Sequence, residues 1–189
     1  HKGRREYAAW MIDIQSEPVR SRFDAAREHL AEFLLEPYRR QAHVTLFVCG
    51  FLVEVPRFDD DYAIEERKYH LRALREAEIA PFEIKVGGIN SFAATPFLEV
   101  FDVGGGIKRV REVLSSTRCE IRTGEYVPHL TLGLYSGEFE VAGVAERISS
   151  FGAVSPITYL VDEISLTTYS AFEIAGPLAA AYGVDLGAR

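Results

Sequence analysis

The order of apolar and polar residues predicts strands and helices that follow one another along the chain. Alternation with a period of two indicates strands, and apolar residues spaced three or four apart indicate amphipathic helices. The predicted strands are residues 7–14, 43–53, 82–92, 96–103 and 129–135. Residues 157–169 are expected to be a long strand or a hairpin, with a short strand at 172–174. The predicted helices are residues 19–35, 62–78, 104–116 and 141–151. Gly87-Gly88 is expected to bulge its strand, and the tail from residue 179 to be loose or a short helical turn.

The element order repeats once. Strand, helix, strand, helix, strand describes both residues 7–92 and residues 96–175, which indicates a degenerate duplication of roughly ninety residues. Two such halves that face each other about a pseudo-two-fold axis would bring their central strands together. The elements alone are equally compatible with a plain α+β domain.

The central strand of each half carries the same short pattern, at His43 to Leu46 and again at His129 to Leu132. Both read His, apolar, Thr, apolar. Because side chains alternate faces along a strand, each His shares a face with its Thr while the apolar pair faces the other way. A chain with 5 His would show the pattern about 0.05 times by composition, so two copies argue against coincidence. The plainer interpretation is two half-exposed strands with polar residues on the wet face.

This doublet resembles the signature of the two-histidine (2H) phosphoesterase superfamily, which has one His-apolar-Thr/Ser-apolar motif in each half of a bilobal domain. That family includes RNA 2',3'-cyclic phosphodiesterases and proteins named as 2'-5' RNA ligases. The resemblance covers nearly the whole chain. It implies an α+β fold in which residues 1–189 form one bilobal, duplicated domain, with two antiparallel sheets facing a central cleft and helices packed outside. It also implies hydrolysis of 2',3'-cyclic phosphates to 2'-phosphates, without a metal or other cofactor.

Opening a cyclic phosphate requires one group that takes a proton from water and another that gives a proton to the departing ribose oxygen. Histidine suits both roles because its ordinary pKa is near 6.5. His43 and His129 are therefore the expected acid–base pair, with the two roles left unassigned. The hydroxyls of Thr45 and Thr131 can donate hydrogen bonds to the non-bridging phosphate oxygens. A zinc site on the two histidines would need a third ligand, which the spacing does not supply.

A substrate that carries a base needs a surface on which to stack. Plant-type members of the family use aromatic residues at positions similar to Trp10 and Tyr135. Tyr126, three residues before His129, could cap the cleft. Packing roles for all three aromatic residues stay open, because Tyr and Trp are often partly buried.

The net charge of −7 argues against a protein that coats nucleic acid nonspecifically, since such binding depends on Lys and Arg. An RNA end or a small cyclic nucleotide is still a suitable partner, because basic residues precede each motif. These are Arg39 and Arg40 before the first and Arg118 and Arg122 before the second. They are equally explained as solvated residues at the strand ends.

The remaining sequence features concern the cellular compartment, the acidic run and the alternative functions. No apolar run is long enough to cross a membrane, and Cys49 and Cys119 do not make a disulfide framework, which favours the cytoplasm. The acidic run of residues 59–61 is expected to be a solvated loop. Two further functions stay open, a nucleotide or RNA-end binding module without turnover and a 2'-5' linkage phosphodiesterase or ligase. The oligomeric state is not predicted.

Overall fold

Strands and helices alternate along the computed structural model, which describes residues 1–187. In that range the strands are β1 (Glu6–Asp13), β2 (His43–Val53), β3 (Asp61–Ala63), β4 (Phe82–Ser91), β5 (Pro96–Asp102), β6 (His129–Thr131), β7 (Ile157–Val161), β8 (Glu163–Ser170) and β9 (Ala179–Asp185). The helices are α1 (Glu17–His29), α2 (Ile64–Glu76), α3 (Gly106–Ser115) and α4 (Val141–Ser150), with a 3₁₀ turn at Ala31–Phe33. The predicted α+β class is confirmed.

The two sheets expected from the sequence are joined into one. Its strand order is β7-β4-β5-β6-β2-β1-β8-β9, and β3 lies beside β2. The junction is the antiparallel contact of β2 with β6, where Val44 pairs with Leu130. Both motif strands therefore lie at the centre of the sheet.

The central six strands of the sheet have a two-fold symmetric order, in which each strand of one sequence repeat has its counterpart from the other repeat at the mirrored place. In β4-β5-β6-β2-β1-β8, replacing β1, β2 and β4 by β5, β6 and β8, and the reverse, gives the same row read backwards. The third strand of each sequence repeat has crossed over, because β4 pairs with β5 and β8 pairs with β1. Each half of the sheet thus contains strands from both sequence repeats.

Local sequence explains the two helices nearest the motifs. α1 has Pro18 in its first turn and buries Val19, Phe23 and Ala26, the three- and four-residue spacing of an amphipathic helix. α3 starts after Gly105, whose φ of 75° favours glycine. The Asp102 carboxylate accepts the first free backbone N–H groups of α3, from Ile107 and Lys108, at 3.2 and 2.9 Å.

Several predicted boundaries differ from the structure. The tail is neither loose nor helical, because residues 179–185 form β9 on the free edge of β8. Residues 172–174 lie in turns. Residues 157–169, expected to be a long strand or a hairpin, form two strands, β7 and β8, but these lie in opposite halves of the sheet and do not pair with each other. β9 is almost entirely exposed, so its sequence lacks the alternation of buried apolar and exposed polar residues that predicts a strand. Its pairing with β8 is set by tertiary structure. The bulge predicted at Gly87-Gly88 is confirmed by a register shift between Val86 and Ile89.

The acidic run is only partly the solvated loop that was expected: residues 59 and 60 lie in a turn with Asp59 exposed, but Asp61 does not. Asp61 is 2% exposed and starts β3. One of its carboxylate oxygens lies 2.5 Å from Arg4, and the other accepts the backbone N–H groups of Arg57 and Phe58. The expectation was wrong for Asp61 because nothing local in the sequence indicates that Arg4 would reach this residue.

Candidate functional site

The two motifs meet where β2 and β6 pair. Val44 and Leu130, the second residue of each motif, are fully buried on the apolar face of the sheet. On the opposite face, His43, Thr45 and Thr131 line a cavity of about 490 Å³. His129 shares the face of Thr131, two residues along the same strand. The structure thus brings the two predicted His-Thr pairs together.

Both histidine rings are held in the same way. The Nδ1 atom of His43 lies 2.7 Å from the carbonyl oxygen of Gln41, and Nδ1 of His129 lies 2.7 Å from that of Val127. A carbonyl oxygen only accepts, so Nδ1 must carry the hydrogen in each ring. The lone pair of each neutral ring is therefore on Nε2, the atom left for a ligand.

The two histidine rings differ in how deeply they are buried. His43 is 6% exposed, and burial, with the positive charges of Arg40 and His129 as smaller causes, lowers its pKa to about 4. The pKa of half-buried His129 is also lowered, mainly by burial. Its ring packs against the rings of Phe92 and Phe97, with centroids 5.0 and 5.4 Å away. Both free rings thus favour the neutral form, His43 most strongly.

Two arginines that the sequence reasoning missed hold the motif strands. The Nη1 atom of Arg27, on α1, donates to the carbonyl oxygen of Leu132. The Nη1 atom of Arg111, on α3, donates to that of Leu46. Leu46 and Leu132 are the fourth residues of the two motifs, so the helix of each sequence repeat fastens the motif of the other. We call Arg27 and Arg111 the crossed arginines.

A sequence signal for the crossed arginines exists. Residues 27–36 and 111–120 both read Arg-Glu-x-Leu-x₅-Glu. The final glutamate of each segment binds its arginine, with Glu36 2.6 Å from Arg27 and Glu120 2.8 Å from Arg111. A search for internal identity, in place of element order alone, would have found this repeat.

Trp10 does not lie in the cleft, which corrects the expectation that it stacks a base. It is fully buried, and its Nε1–H donates to Nδ1 of His70 at 3.2 Å. The Tyr62 hydroxyl lies 2.8 Å from the same nitrogen. No face of the indole is free for a ligand.

Tyr126 and Tyr135 also lie outside the cavity lined by His43. The Tyr126 hydroxyl donates to the Thr45 carbonyl oxygen at 2.9 Å, and its ring packs 3.7 Å from the Arg111 guanidinium, so it supports the first motif from behind. Tyr135 shares a hydrogen bond with Ser91 at 2.7 Å and lines a separate cavity of about 600 Å³. Tyr135 does not share the face of His129 and Thr131, as strand alternation predicted, because β6 ends at Thr131.

Other aromatic residues line the cavity instead. Tyr7 lies edge-on to Phe51 with centroids 4.8 Å apart and 5.5 Å from the ring of Tyr169. The Arg40 guanidinium lies over Tyr169, 4.3 Å from the ring centroid. The basic residues before the second motif have structural partners: Arg118 binds Glu66 and the backbone of Asp61, and Arg122 lies 3.7 Å from Glu120.

Residues 1–187 contain neither a metal-binding cluster nor a membrane span. No three His, Cys, Asp or Glu side chains in this range converge in a group that could hold a metal ion. None of its helices combines the length and apolar character that a membrane span needs.

Comparison with known proteins identifies the family. The family model of the 2'-5' RNA ligase superfamily matches residues 15–171. Among solved structures, E. coli LigT complexed with 3'-AMP aligns with a TM-score of 0.65 at 15% identity, covering 96% of this chain and 98% of LigT. TT0787 of Thermus thermophilus aligns with a TM-score of 0.63 at 18% identity over 96% and 98% of the two chains. No curated protein matches the sequence. Since the family model spans most of the sequence, the chain belongs to the 2'-5' RNA ligase superfamily.

Proposed function

We propose that this protein is a phosphodiesterase that opens 2',3'-cyclic phosphates, at RNA ends or on nucleotides, and leaves a 2'-phosphate. The observation that carries the proposal is the matched mounting of His43 and His129. Each ring is held through Nδ1 by a backbone carbonyl two residues earlier. Each therefore offers Nε2 to a group between the motifs.

His43 is the better general base. It is the more buried ring, and its lowered pKa keeps it neutral near pH 7. In the proposed reaction its Nε2 takes a proton from a water molecule as the water oxygen bonds to phosphorus. The positive charge of Arg40, which disfavours imidazolium in the free protein, acts in the same direction.

His129 is the general acid in this scheme. Its Nε2–H gives a proton to the 3' oxygen as the bond from phosphorus to that oxygen breaks, so the phosphate stays on the 2' oxygen. The bound phosphate anion favours the protonated ring, which offsets the lowering of the pKa seen in the free protein. Thr45 and Thr131 donate to the non-bridging oxygens, where negative charge grows. Every proton in the step is carried by the protein or by water.

The family and its structures support a nucleotide ligand. E. coli LigT has been crystallised with 3'-AMP and with ATP, and this chain has the same fold. The cavity of about 490 Å³ lies in the range of small-molecule sites. Both cysteines are free thiols, which suits the reducing cytoplasm where we place the protein.

The superfamily's name favours a second candidate of the same chemistry, cleavage or formation of a 2'-5' linkage. In that reaction a ribose hydroxyl takes the place of water as the group that exchanges a proton with the histidines. A different class of function, nucleotide binding without turnover, would require neither histidine to transfer a proton.

The test is turnover of nucleoside 2',3'-cyclic phosphates in EDTA, with the position of the product phosphate read by phosphorus NMR. We expect 2'-phosphates, and a loss of about 10²–10⁴-fold in kcat/KM in His43→Ala and in His129→Ala. His29→Ala, a histidine on α1 that binds the backbone of Arg147, is the matched control and should keep activity. If both motif variants turned over normally, the mechanism would be wrong. Tight binding without turnover would favour the binding module.

A further inference from the structure

One cation in the cleft has no acidic partner. Arg40 lines the cavity together with His43, Thr45 and Thr131. Within residues 1–187, no carboxylate oxygen lies within salt-bridge distance of Arg40, whereas its neighbour Arg39 is paired with Glu173. The Nε atom of Arg40 is buried without a hydrogen-bond partner. In a chain with 28 acidic residues against 21 Lys and Arg, this arginine is left free for an anion from outside.

The position of the Arg40 guanidinium suits a phosphate. Its central carbon lies over the ring of Tyr169, 4.3 Å from the centroid, and this cation–π contact helps to hold the group in place. A guanidinium carries more N–H donors than one ring contact engages, and it can bind two phosphate oxygens at once. Tyr7 and Phe51 continue the same wall of the cavity.

The two halves of the site also carry different residues at the position of Arg40. It stands three residues before His43, and Tyr126 stands three residues before His129. Tyr126 is committed to the Thr45 carbonyl and to Arg111. The position equivalent to Arg40 therefore carries no cation in the second half of the site, and Arg122, whose charge helps to lower the pKa of His129, already lies 3.7 Å from Glu120.

Building on the proposed function, we propose that Arg40, stacked on Tyr169, binds a second phosphate of the substrate, the one on the 5' oxygen of the nucleoside that carries the cyclic phosphate. A nucleoside 2',3'-cyclic phosphate lacks that group. A 5'-phosphorylated nucleotide and an oligonucleotide end both have it. The protein should therefore favour these two substrates over the bare nucleoside cyclic phosphate.

The kinetic test compares cytidine 2',3'-cyclic phosphate with its 5'-phosphorylated form and with the dinucleotide CpC that ends in a cyclic phosphate. We expect the two substrates with a 5' phosphate to have kcat/KM values about ten- to a hundredfold higher, as a charged hydrogen bond provides. Arg40→Gln should abolish that advantage, mainly through KM, so that the three substrates come to have similar kcat/KM values when compared at one pH. Arg109→Gln, an exposed arginine on α3, is the control for net charge and should keep the advantage.

The subsite would be overturned by no advantage in the unmodified protein, by an advantage that survives Arg40→Gln, or by an equal loss on all three substrates. The last would place Arg40 on the reacting phosphate. An advantage of the dinucleotide but not of the 5'-phosphorylated nucleotide would also overturn it, because the gain would then come from the added nucleoside.

A binding measurement separates this inference from the proposed reaction. Calorimetry with cytidine 2'-phosphate and cytidine 2',5'-bisphosphate needs no turnover. Tighter binding of the bisphosphate that disappears in Arg40→Gln supports the subsite even if no cyclic phosphate is hydrolysed, in which case only the proposed function fails. Equal affinities would refute the subsite even if hydrolysis were observed.

Discussion

Val44 and Leu130 are antiparallel partners across β2 and β6, and each is the second residue of its His-apolar-Thr-apolar motif. When two antiparallel strands pair at equivalent positions, a two-fold axis can pass between the paired residues. The equivalence extends outward from this pair. It includes the carbonyl groups that hold His43 and His129 and the crossed arginines on α1 and α3.

The crossed arginines should matter for stability. Arg27→Met and Arg111→Met each leave a motif carbonyl without its charged donor and a glutamate without its partner. We expect each to lower the free energy of unfolding by about 1–3 kcal/mol in urea titrations. Arg72→Met, which removes an exposed pair with Glu76 on α2, is the matched control and should cost less than about 1 kcal/mol. Equal costs in all three variants would contradict the assigned role.

Trp10 should contribute to stability and not to substrate binding. Trp10→Phe removes the donor to His70 and leaves space in the core. We expect a loss of about 2–4 kcal/mol in the free energy of unfolding and a KM for cyclic nucleotides within about twofold of normal. Tyr169→Leu, which alters the cavity wall, should raise KM instead. A large rise in KM in Trp10→Phe with normal stability would restore the stacking role.

How much was predictable depends on the range of the interactions. The shared face of each His-Thr pair followed from the motif, because strand parity is local. The meeting of the two motif strands followed from the repeated element order and the family resemblance. The positions of Trp10, Tyr126 and Tyr135 did not, since each is set by partners far away in sequence, such as His70 for Trp10. The exchange of β4 and β8 between the halves was missed because element order does not show strand pairing: β4 pairs with its successor β5 across residues 92–95, and β8 pairs with the distant β1.

The burial of His43 should be visible in the pH dependence of stability. Its pKa is about 4 in the folded protein and near 6.5 unfolded, so the unfolded chain binds the extra proton between these values. Neutral, buried His43 therefore contributes at most about 3 kcal/mol to the free energy of unfolding. This contribution is complete above pH 6.5 and is lost as pH falls towards 4. In urea titrations at pH 7.5 and 4.5, His43→Gln should lose less stability on acidification than the unmodified protein. Identical losses would show that His43 titrates normally.

The two lowered histidine pKa values also predict the pH profile of catalysis. The base must be unprotonated, so kcat/KM should rise with pH only through the pKa of His43, about 4. The acid must be protonated, so kcat/KM should fall above the pKa of His129, which burial holds below 6.5. We therefore expect the maximum of kcat/KM for a 2',3'-cyclic nucleotide below pH 6.5. Arg40→Gln should move the lower limb towards neutral pH, because that charge helps to keep His43 unprotonated. An alkaline maximum would contradict this pairing of acid and base.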